Sequence, residues 1–120
     1  MPKKILIIDD DEESLKLFGT IVKCNGYEAV ETMDGLEGIR LAMAQKPDLI
    51  LVDIHMPGIN GFEVFKIMKS EPSIKDIPII ALTVYSMMGN KNGILRAGFD
   101  DCIEKPIILK EFVKIIKEHL

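Results

Sequence analysis

Residues 5–14 read ILIIDDDEES, and this stretch decides the fold class. Four consecutive branched apolar residues are typical of a strand that is buried on both faces of a parallel sheet. Five acidic residues, Asp9 to Glu13, follow directly. Carboxylates this close together repel one another unless a positive charge lies among them. The stretch therefore indicates a buried strand that ends at a charged site.

The rest of the chain alternates short apolar runs with helical patterns. Further strands are predicted at YEAVET (27–32), DLILVDI (48–54), IPIIALT (77–83) and DCIE (101–104). A helical pattern follows each strand. The first helix should end at Asn25-Gly26, and the second should begin at Asp34, which forms a capping-box pattern with Glu37. Asn60-Gly61 should open the third helix, and a poor fourth helix is predicted over 87–96. The last helix carries an apolar stripe of Leu109, Phe112, Val113, Ile116 and Leu120.

Five β-α units predict an α/β fold with a doubly wound parallel sheet and helices on both faces. The three most apolar strands should be central, and the strands at 27–32 and 101–104 should lie at the edges. The flavodoxin-like strand order 2-1-3-4-5 meets both conditions. A length of 120 residues suits one domain over 1–120 with no output domain.

Composition excludes several classes of function. The net charge is -4 and the sequence has no basic block, so direct binding to nucleic acid is not expected. No apolar run approaches the roughly 20 residues that span a bilayer, so we expect a cytoplasmic protein that does not bind membranes.

Cys24 and Cys102 fit no metal pattern and are expected to be reduced thiols. His55 and His119 have no partner at ligand spacing and are expected to be exposed side chains.

Polar side chains cluster at the carboxyl ends of the predicted strands. Asp9 and Asp10 end the first, Asp53 the third, Thr83 the fourth, and Lys105 follows the fifth. In this fold these ends meet at one edge of the sheet, where ligands bind. Crowded carboxylates and a lysine suit Mg²⁺ and a phosphate group, with Mn²⁺ as an acceptable substitute. Residues 11–13 are expected to lie in the first turn of a helix, where the helix dipole favours acids.

The chain resembles response-regulator receiver domains of the CheY-like superfamily, in particular the stand-alone, DivK-like type. The motifs that carry the resemblance are IIDDD, LVDIHMPGINGFE, ALT and EKP, in the family's order over essentially the whole chain. Receivers are the phospho-acceptor modules of two-component signalling and phosphorelays. The resemblance implies that the chain changes its binding to partners when it is phosphorylated, and that it is not a turnover enzyme.

The resemblance also implies a role for each site residue. Asp53 would be the phospho-acceptor, supplied by a sensor histidine kinase or a histidine phosphotransfer protein. Mg²⁺ would be held by Asp10, Asp53 and the backbone carbonyl of His55, with Asp9 acting mainly through bound water. Thr83 and Lys105 would contact the phosphoryl oxygens, and the bond from Lys105 to Pro106 is expected to be cis. A downstream protein would bind the face formed by helix 4, strand 5 and helix 5.

The sequence departs from the family pattern at three places. Val84 stands where a small residue is usual and is expected to narrow access to Asp53. Cys102 replaces the usual aromatic residue of the conformational switch, for which Tyr85 is a candidate substitute. The predicted helix over 87–96 contains Gly89 and Gly93, which weaken a helix.

Three other functions stay open from the sequence alone. A degenerate receiver would act as a phosphorylation-independent adaptor. A Mg²⁺-dependent phosphohydrolase would use an aspartyl nucleophile, but such enzymes typically carry DxD where this chain has Asp53-Ile54-His55. A flavodoxin-like cofactor binder would need a phosphate-cradling loop after the first strand, where this chain is acidic.

Overall fold

The computed structural model describes residues 2–84 and 91–120. The strands are β1 (Lys4–Ile8), β2 (Glu28–Thr32), β3 (Leu49–Asp53), β4 (Ile79–Val84) and β5 (Asp101–Lys105). The helices within the described ranges are α1 (Glu12–Cys24), α2 (Gly35–Gln45), α3 (Gly61–Lys69), α4 (Lys91–Arg96) and α5 (Leu109–Glu118). All strand pairs are parallel, and the order is β2-β1-β3-β4-β5. The predicted fold class and strand order are confirmed.

Two separate hydrophobic cores explain the unbroken apolar runs of the central strands. Alternate side chains of a strand point to opposite faces of the sheet. In β1, Leu6 and Ile8 pack into the core that includes side chains of α2, α3 and α4. Ile5 and Ile7 pack into the core that includes side chains of α1 and α5. A strand covered on both sides must be apolar at every position, as residues 5–8 are.

The first two helices begin at aspartates, as the sequence predicts. Asp11 caps α1, and its side chain accepts hydrogen bonds from the N–H (3.1 Å) and the hydroxyl (2.6 Å) of Ser14. Asp34 caps α2 by accepting the N–H of Glu37 at 2.9 Å. The predicted capping box is only half present, because the Glu37 carboxylate pairs with Arg40 instead. A charged partner one turn along the helix outcompetes the backbone of the cap.

Two predicted features near the end of the chain are wrong in detail. The apolar stripe of α5 holds at Phe112 and Ile116, which are buried, but Leu109 is 58% exposed because it begins the helix beyond the edge of the core. His119 is not an exposed side chain. Its Nε2 lies 3.1 Å from Asp101 Oδ2, and its side chain is only 24% exposed because α5 ends against the start of β5.

Other predictions are confirmed or lie outside the described residues. Cys24 and Cys102 are not joined in a disulfide, and their side chains are exposed and buried respectively. The predicted helix over 87–96 is helical over Lys91–Arg96. Its first part and Tyr85 lie in the range 85–90, outside the described residues. Within the described ranges, every helix is too short or too polar to cross a bilayer.

Candidate functional site

The sheet brings the predicted site residues to one edge. Strands β1 and β3 are neighbours, with Ile8 opposite Val52, so Asp9 follows β1 beside the end of β3. Asp53 is the last residue of β3 and lies opposite Leu82 of β4. Thr83 is next along β4, and Lys105 ends β5. The parallel topology therefore assembles residues that are up to 96 positions apart in sequence (105 minus 9).

Three carboxylates lie together at this edge. Asp9, Asp10 and Asp53 each offer one oxygen, and these oxygens all lie within 4.8 Å of one another. Asp9 is fully buried, Asp53 is 5% exposed, and Asp10 is partly buried at the mouth of the site. Burial in this position removes most of the water that would otherwise screen the mutual repulsion.

Lys105 is the internal counter-ion of this cluster. Its Nζ lies 2.6 Å from Asp9 Oδ2 and 3.2 Å from Asp53 Oδ2, and its side chain is 15% exposed. The contact with Asp53 is a hydrogen bond. The closer contact, with the fully buried Asp9, is an ion pair. The Lys105–Pro106 peptide bond is cis, as predicted.

Backbone amides fix the second oxygen of two carboxylates. Asp9 Oδ1 accepts the N–H of Asp11 at 2.9 Å, and Asp53 Oδ1 accepts the N–H of His55 at 3.0 Å. The Oδ2 atoms both face Lys105. Each side chain is thereby held at two points, which keeps the charged groups in place without a bound ligand. The imidazole of His55 is exposed, as predicted.

The start of α3 packs closely beneath Asp53. A Cβ atom on Gly61 would lie 2.5 Å from the carbonyl oxygen of Asp53, so only glycine fits there. The preceding residue, Asn60, forms a full capping box with Glu63, with reciprocal 3.0 Å hydrogen bonds. The segment NGFE within the longest motif is therefore explained by the local structure, because it begins a helix directly behind the carboxylate.

Burial and repulsion change the ionisation of the site. Burial raises the pKa of Asp53 most, Lys105 and the His55 N–H lower it, and the nearby Asp9 carboxylate raises it; the net effect is a rise from 3.8 to about 6. Burial alone would lower the pKa of Lys105, but its pairs with Asp9 and Asp53 outweigh burial, and the pKa is raised. Ionisation of Asp53 therefore costs free energy in the folded protein.

The residues present fit a divalent cation with oxygen ligands. Three ionised carboxylates and one ammonium leave two negative charges, which a doubly charged ion would balance. Asp9 is fully buried, and the partly buried Asp10 leaves the cluster open to solvent on one side. An all-oxygen donor set with room for water is the kind that Mg²⁺ prefers. The backbone carbonyl of His55 stays a predicted ligand.

Thr83 and Val84 end β4 beside the carboxylates. Thr83 is 4% exposed, and its hydroxyl lies 3.5 Å from the carbonyl oxygen of Val84, at the long limit of a hydrogen bond. That hydroxyl can therefore turn to a better acceptor at little cost. Val84 is 47% exposed at this end of the strand, and its effect on access to Asp53 stays a prediction. Cys102 is 4% exposed and packs in the core, and no aromatic ring occupies its position.

Sequence reasoning missed one neighbour of the site. The ring of Phe18 lies beneath Lys105, with its centroid 5.8 Å from Nζ. Its position in α1 gave only the pattern of a core residue, and it is indeed 1% exposed. No local signal in the sequence links it to a lysine 87 positions away (105 minus 18).

The comparisons with known proteins agree with this geometry. The sequence matches the family described as the response regulator receiver domain over residues 5–117. It is 40% identical over 120 residues to the polar-differentiation response regulator DivK of Brucella anthropi, covering 100% of this chain and 98% of that protein.

Two solved structures are similar over nearly their whole length. Chemotaxis protein CheY4 of Vibrio cholerae superposes with a TM-score of 0.91 at 26% identity, over 100% of both chains. The receiver domain of sensor histidine kinase PA1611 from Pseudomonas aeruginosa gives 0.88 at 26% identity, over 98% of this chain and 97% of that one. That receiver has a magnesium ion coordinated in its active site cleft. The chain described here belongs to the response regulator receiver domain family of two-component signalling.

Proposed function

We propose that this chain is a phospho-accepting response regulator in which Asp53 receives a phosphoryl group from a phosphohistidine. The observation that carries the proposal is the setting of Asp53. It is a buried carboxylate with one oxygen fixed by the His55 N–H, the other 3.2 Å from Lys105, and two more acids within 4.8 Å. Such a group is held in one orientation with positive charge at hand, as an in-line nucleophile requires.

In the proposed reaction, a carboxylate oxygen of Asp53 attacks the phosphorus atom of the donor. The new bond is P–O, and the P–N bond of the phosphohistidine breaks, with its electron pair leaving on the imidazole nitrogen. Lys105 exchanges its contact with Asp53 Oδ2 for one with a phosphoryl oxygen, and the Thr83 hydroxyl donates to another. Phosphoryl transfer asks for little more than such positioning and neutralisation of oxygen charge.

Asp9, Asp10 and Asp53, with the backbone carbonyl of His55, are proposed to hold Mg²⁺. When bound, the ion supplies positive charge that lets one anion approach another. Asp9 also holds Lys105 in place through their ion pair, at 2.6 Å. We propose that the chain catalyses only its own phosphorylation and dephosphorylation and works by binding partners.

The donor is proposed to be a sensor histidine kinase or a histidine phosphotransfer protein. Exposed apolar side chains lie on the elements that flank the site. Leu17 of α1 is 49% exposed, and Ile108 and Leu109 at the start of α5 are 63% and 58% exposed. The two helices are joined beneath this surface by the stacked rings of Phe18 and Phe112. A downstream protein is proposed to bind the face formed by α4, β5 and α5.

Intact mass spectrometry after incubation with acetyl phosphate tests the proposal. The parent is expected to gain one phosphoryl group with Mg²⁺ and none with EDTA, and Asp53→Asn is expected to gain none. Asp76→Asn is a matched control, because Asp76 is exposed and lies between α3 and β4. A parent that stays unmodified both with acetyl phosphate and with a phosphorylated phosphotransfer protein would refute the proposal and favour a phosphorylation-independent adaptor.

A further inference from the structure

The ammonium of Lys105 lies between two carboxylates and an aromatic face. On one side it contacts Asp9 Oδ2 and Asp53 Oδ2, at 2.6 and 3.2 Å. On the other it lies 5.8 Å from the centroid of the Phe18 ring. A cation within about 6 Å of a ring centroid is attracted by the negative face of the ring. Phe18 is therefore both a steric and an electrostatic neighbour of the lysine.

The Phe18 ring is fixed in place. It is 1% exposed and stacks on Phe112 of α5, with centroids 5.2 Å apart and planes inclined by 16°. Phe112 is fully buried. Neither ring can move without opening the core between α1, α5 and the sheet. The surface beneath Lys105 is therefore rigid, whereas the lysine side chain has four rotatable bonds of its own.

The ring adds a third contact to the two carboxylate contacts of Lys105. The ion pair with Asp9 Oδ2, at 2.6 Å, can persist during the reaction, but the contact with Asp53 must be given up when Asp53 takes a phosphoryl group. The side chain is only 15% exposed, so water screens its attraction to the ring weakly. Cation–π attraction is stronger when the cation is desolvated.

We propose that Phe18 is a positioning residue for phosphoryl transfer: the face of its ring holds the ammonium of Lys105 at the carboxylate edge and thereby increases the rate of phosphorylation at Asp53. This inference rests on the proposed function. Phe18 touches neither the phosphoryl donor nor Asp53 in this role, and it acts only through Lys105.

A core residue of the same shape would fill the same space, so the test must change the charge distribution of the ring and keep its shape. Pentafluorophenylalanine reverses the ring quadrupole and keeps the ring planar, and the larger size of its fluorine atoms is controlled by making the same substitution at a neighbouring ring. We would introduce it at Phe18 by amber suppression and, as a matched control, at Phe112. Both rings belong to the same buried stack, but among the residues that the structure describes only the Phe18 ring lies within cation–π distance of the lysine.

Three measurements are made on each protein: the initial rate of phosphorylation by acetyl phosphate with Mg²⁺, the midpoint of thermal unfolding, and the NMR shift of the Lys105 ε-methylene protons. We expect the Phe18 variant to react about 3- to 10-fold more slowly and the Phe112 variant to stay within about twofold of the parent. The fluorinated ring should stack well on the ordinary one in both variants, and the Phe18 variant should unfold earlier than the Phe112 variant only by the lost attraction to Lys105. The Lys105 shift should change only in the Phe18 variant.

Equal rates for the Phe18 variant and the parent would overturn the inference. So would equal slowing of both variants, which would assign the effect to the core. A parent that gains no phosphoryl group would be a failure of the proposed function itself, which the parent's mass reveals before any variant is compared. Once the parent is shown to be phosphorylated, the ratio of the phosphorylation rates of the two variants tests only the role of Phe18.

Discussion

Removing the charge of Asp53 is expected to stabilise the folded protein at pH 7 when no divalent cation is present. Burial and the Asp9 carboxylate raise the pKa of Asp53 to about 6 from 3.8. The folded protein therefore binds this proton more firmly than the unfolded chain does. Asparagine has nearly the same shape as aspartate but carries no charge, so Asp53→Asn removes this unfavourable ionisation and leaves the backbone in place.

The magnitude follows from the shift. About two pKa units at 1.36 kcal/mol each give an upper limit of about 3 kcal/mol. Asparagine also weakens the attraction to Lys105, so the net gain at pH 7 should be about 1–2 kcal/mol. The stabilising effect of the protonated Asp53 is fully present below pH 3.8 and is lost as the pH rises through about 6. The difference between the two proteins should therefore be small near pH 4 and largest near pH 7.

Urea unfolding in EDTA, repeated between pH 4 and pH 7.5, measures this difference. Other groups titrate in the same range, so the informative quantity is the free energy of unfolding of Asp53→Asn minus that of the parent at each pH. Asp76→Asn again provides the control, because Asp76 is exposed and does not belong to the carboxylate cluster. A difference that stays constant across the range, or that favours the parent at pH 7, would refute the reasoning.

Mg²⁺ should reverse the ranking. A cation that binds only the folded protein stabilises it by about 2.7 kcal/mol at 100 times its dissociation constant. The parent offers three carboxylates within 4.8 Å, whereas Asp53→Asn retains two. The parent should therefore gain stability with added Mg²⁺ at pH 7, and the variant much less. Equal gains in both proteins would mean that Asp53 is not part of the cation site.

Three further predictions concern single residues around the site. Lys105→Met should lower the free energy of unfolding at pH 7 by about 2–4 kcal/mol in urea titrations, because Asp9 and Asp53 lose their buried counter-ion; a loss below about 1 kcal/mol would contradict that role. Val84→Ala should increase the rate of phosphorylation by acetyl phosphate, measured as initial gain of mass, and an unchanged rate would mean that Val84 does not narrow the access. Gly61→Ala should lower the unfolding free energy by about 1–3 kcal/mol, because its Cβ would meet the Asp53 carbonyl at 2.5 Å, and a thermal midpoint equal to the parent's would contradict this packing.

The sequence predicts the sheet well because its signals are local and mutually consistent. The run from Ile5 to Ile8 can be satisfied only between two layers of helices, and five β-α units leave few topologies for such a strand. The strand order then brings Asp9 and Asp53 to adjacent strand ends without any knowledge of side-chain positions. That step required only the rule that the carboxyl ends of parallel strands share one edge.

The features that were not predicted depend on tertiary contacts between residues that are distant in the sequence or that compete for the same partner. The Glu37 carboxylate could bind either the backbone N–H of the cap residue or the guanidinium of Arg40, and the sequence does not show which of the two it binds. His119 contacts Asp101, which is 18 residues away, because α5 ends beside the start of β5. Leu109 fits the helical period, but the period does not say where the core ends. Each outcome is set by tertiary packing that a local pattern does not contain.

The excess of negative charge in the site lowers the free energy of unfolding, and the same excess allows the site to bind a cation. A second lysine in place of Asp10 would leave two carboxylates balanced by two ammonium groups, and the folded protein would be more stable without an added ion. It would then have no net charge to attract a cation. The existing balance, three carboxylates to one ammonium, leaves the site short of positive charge. Burial, together with the repulsion from Asp9, raises the pKa of Asp53, and a bound Mg²⁺ would supply the missing positive charge when a phosphoryl group arrives.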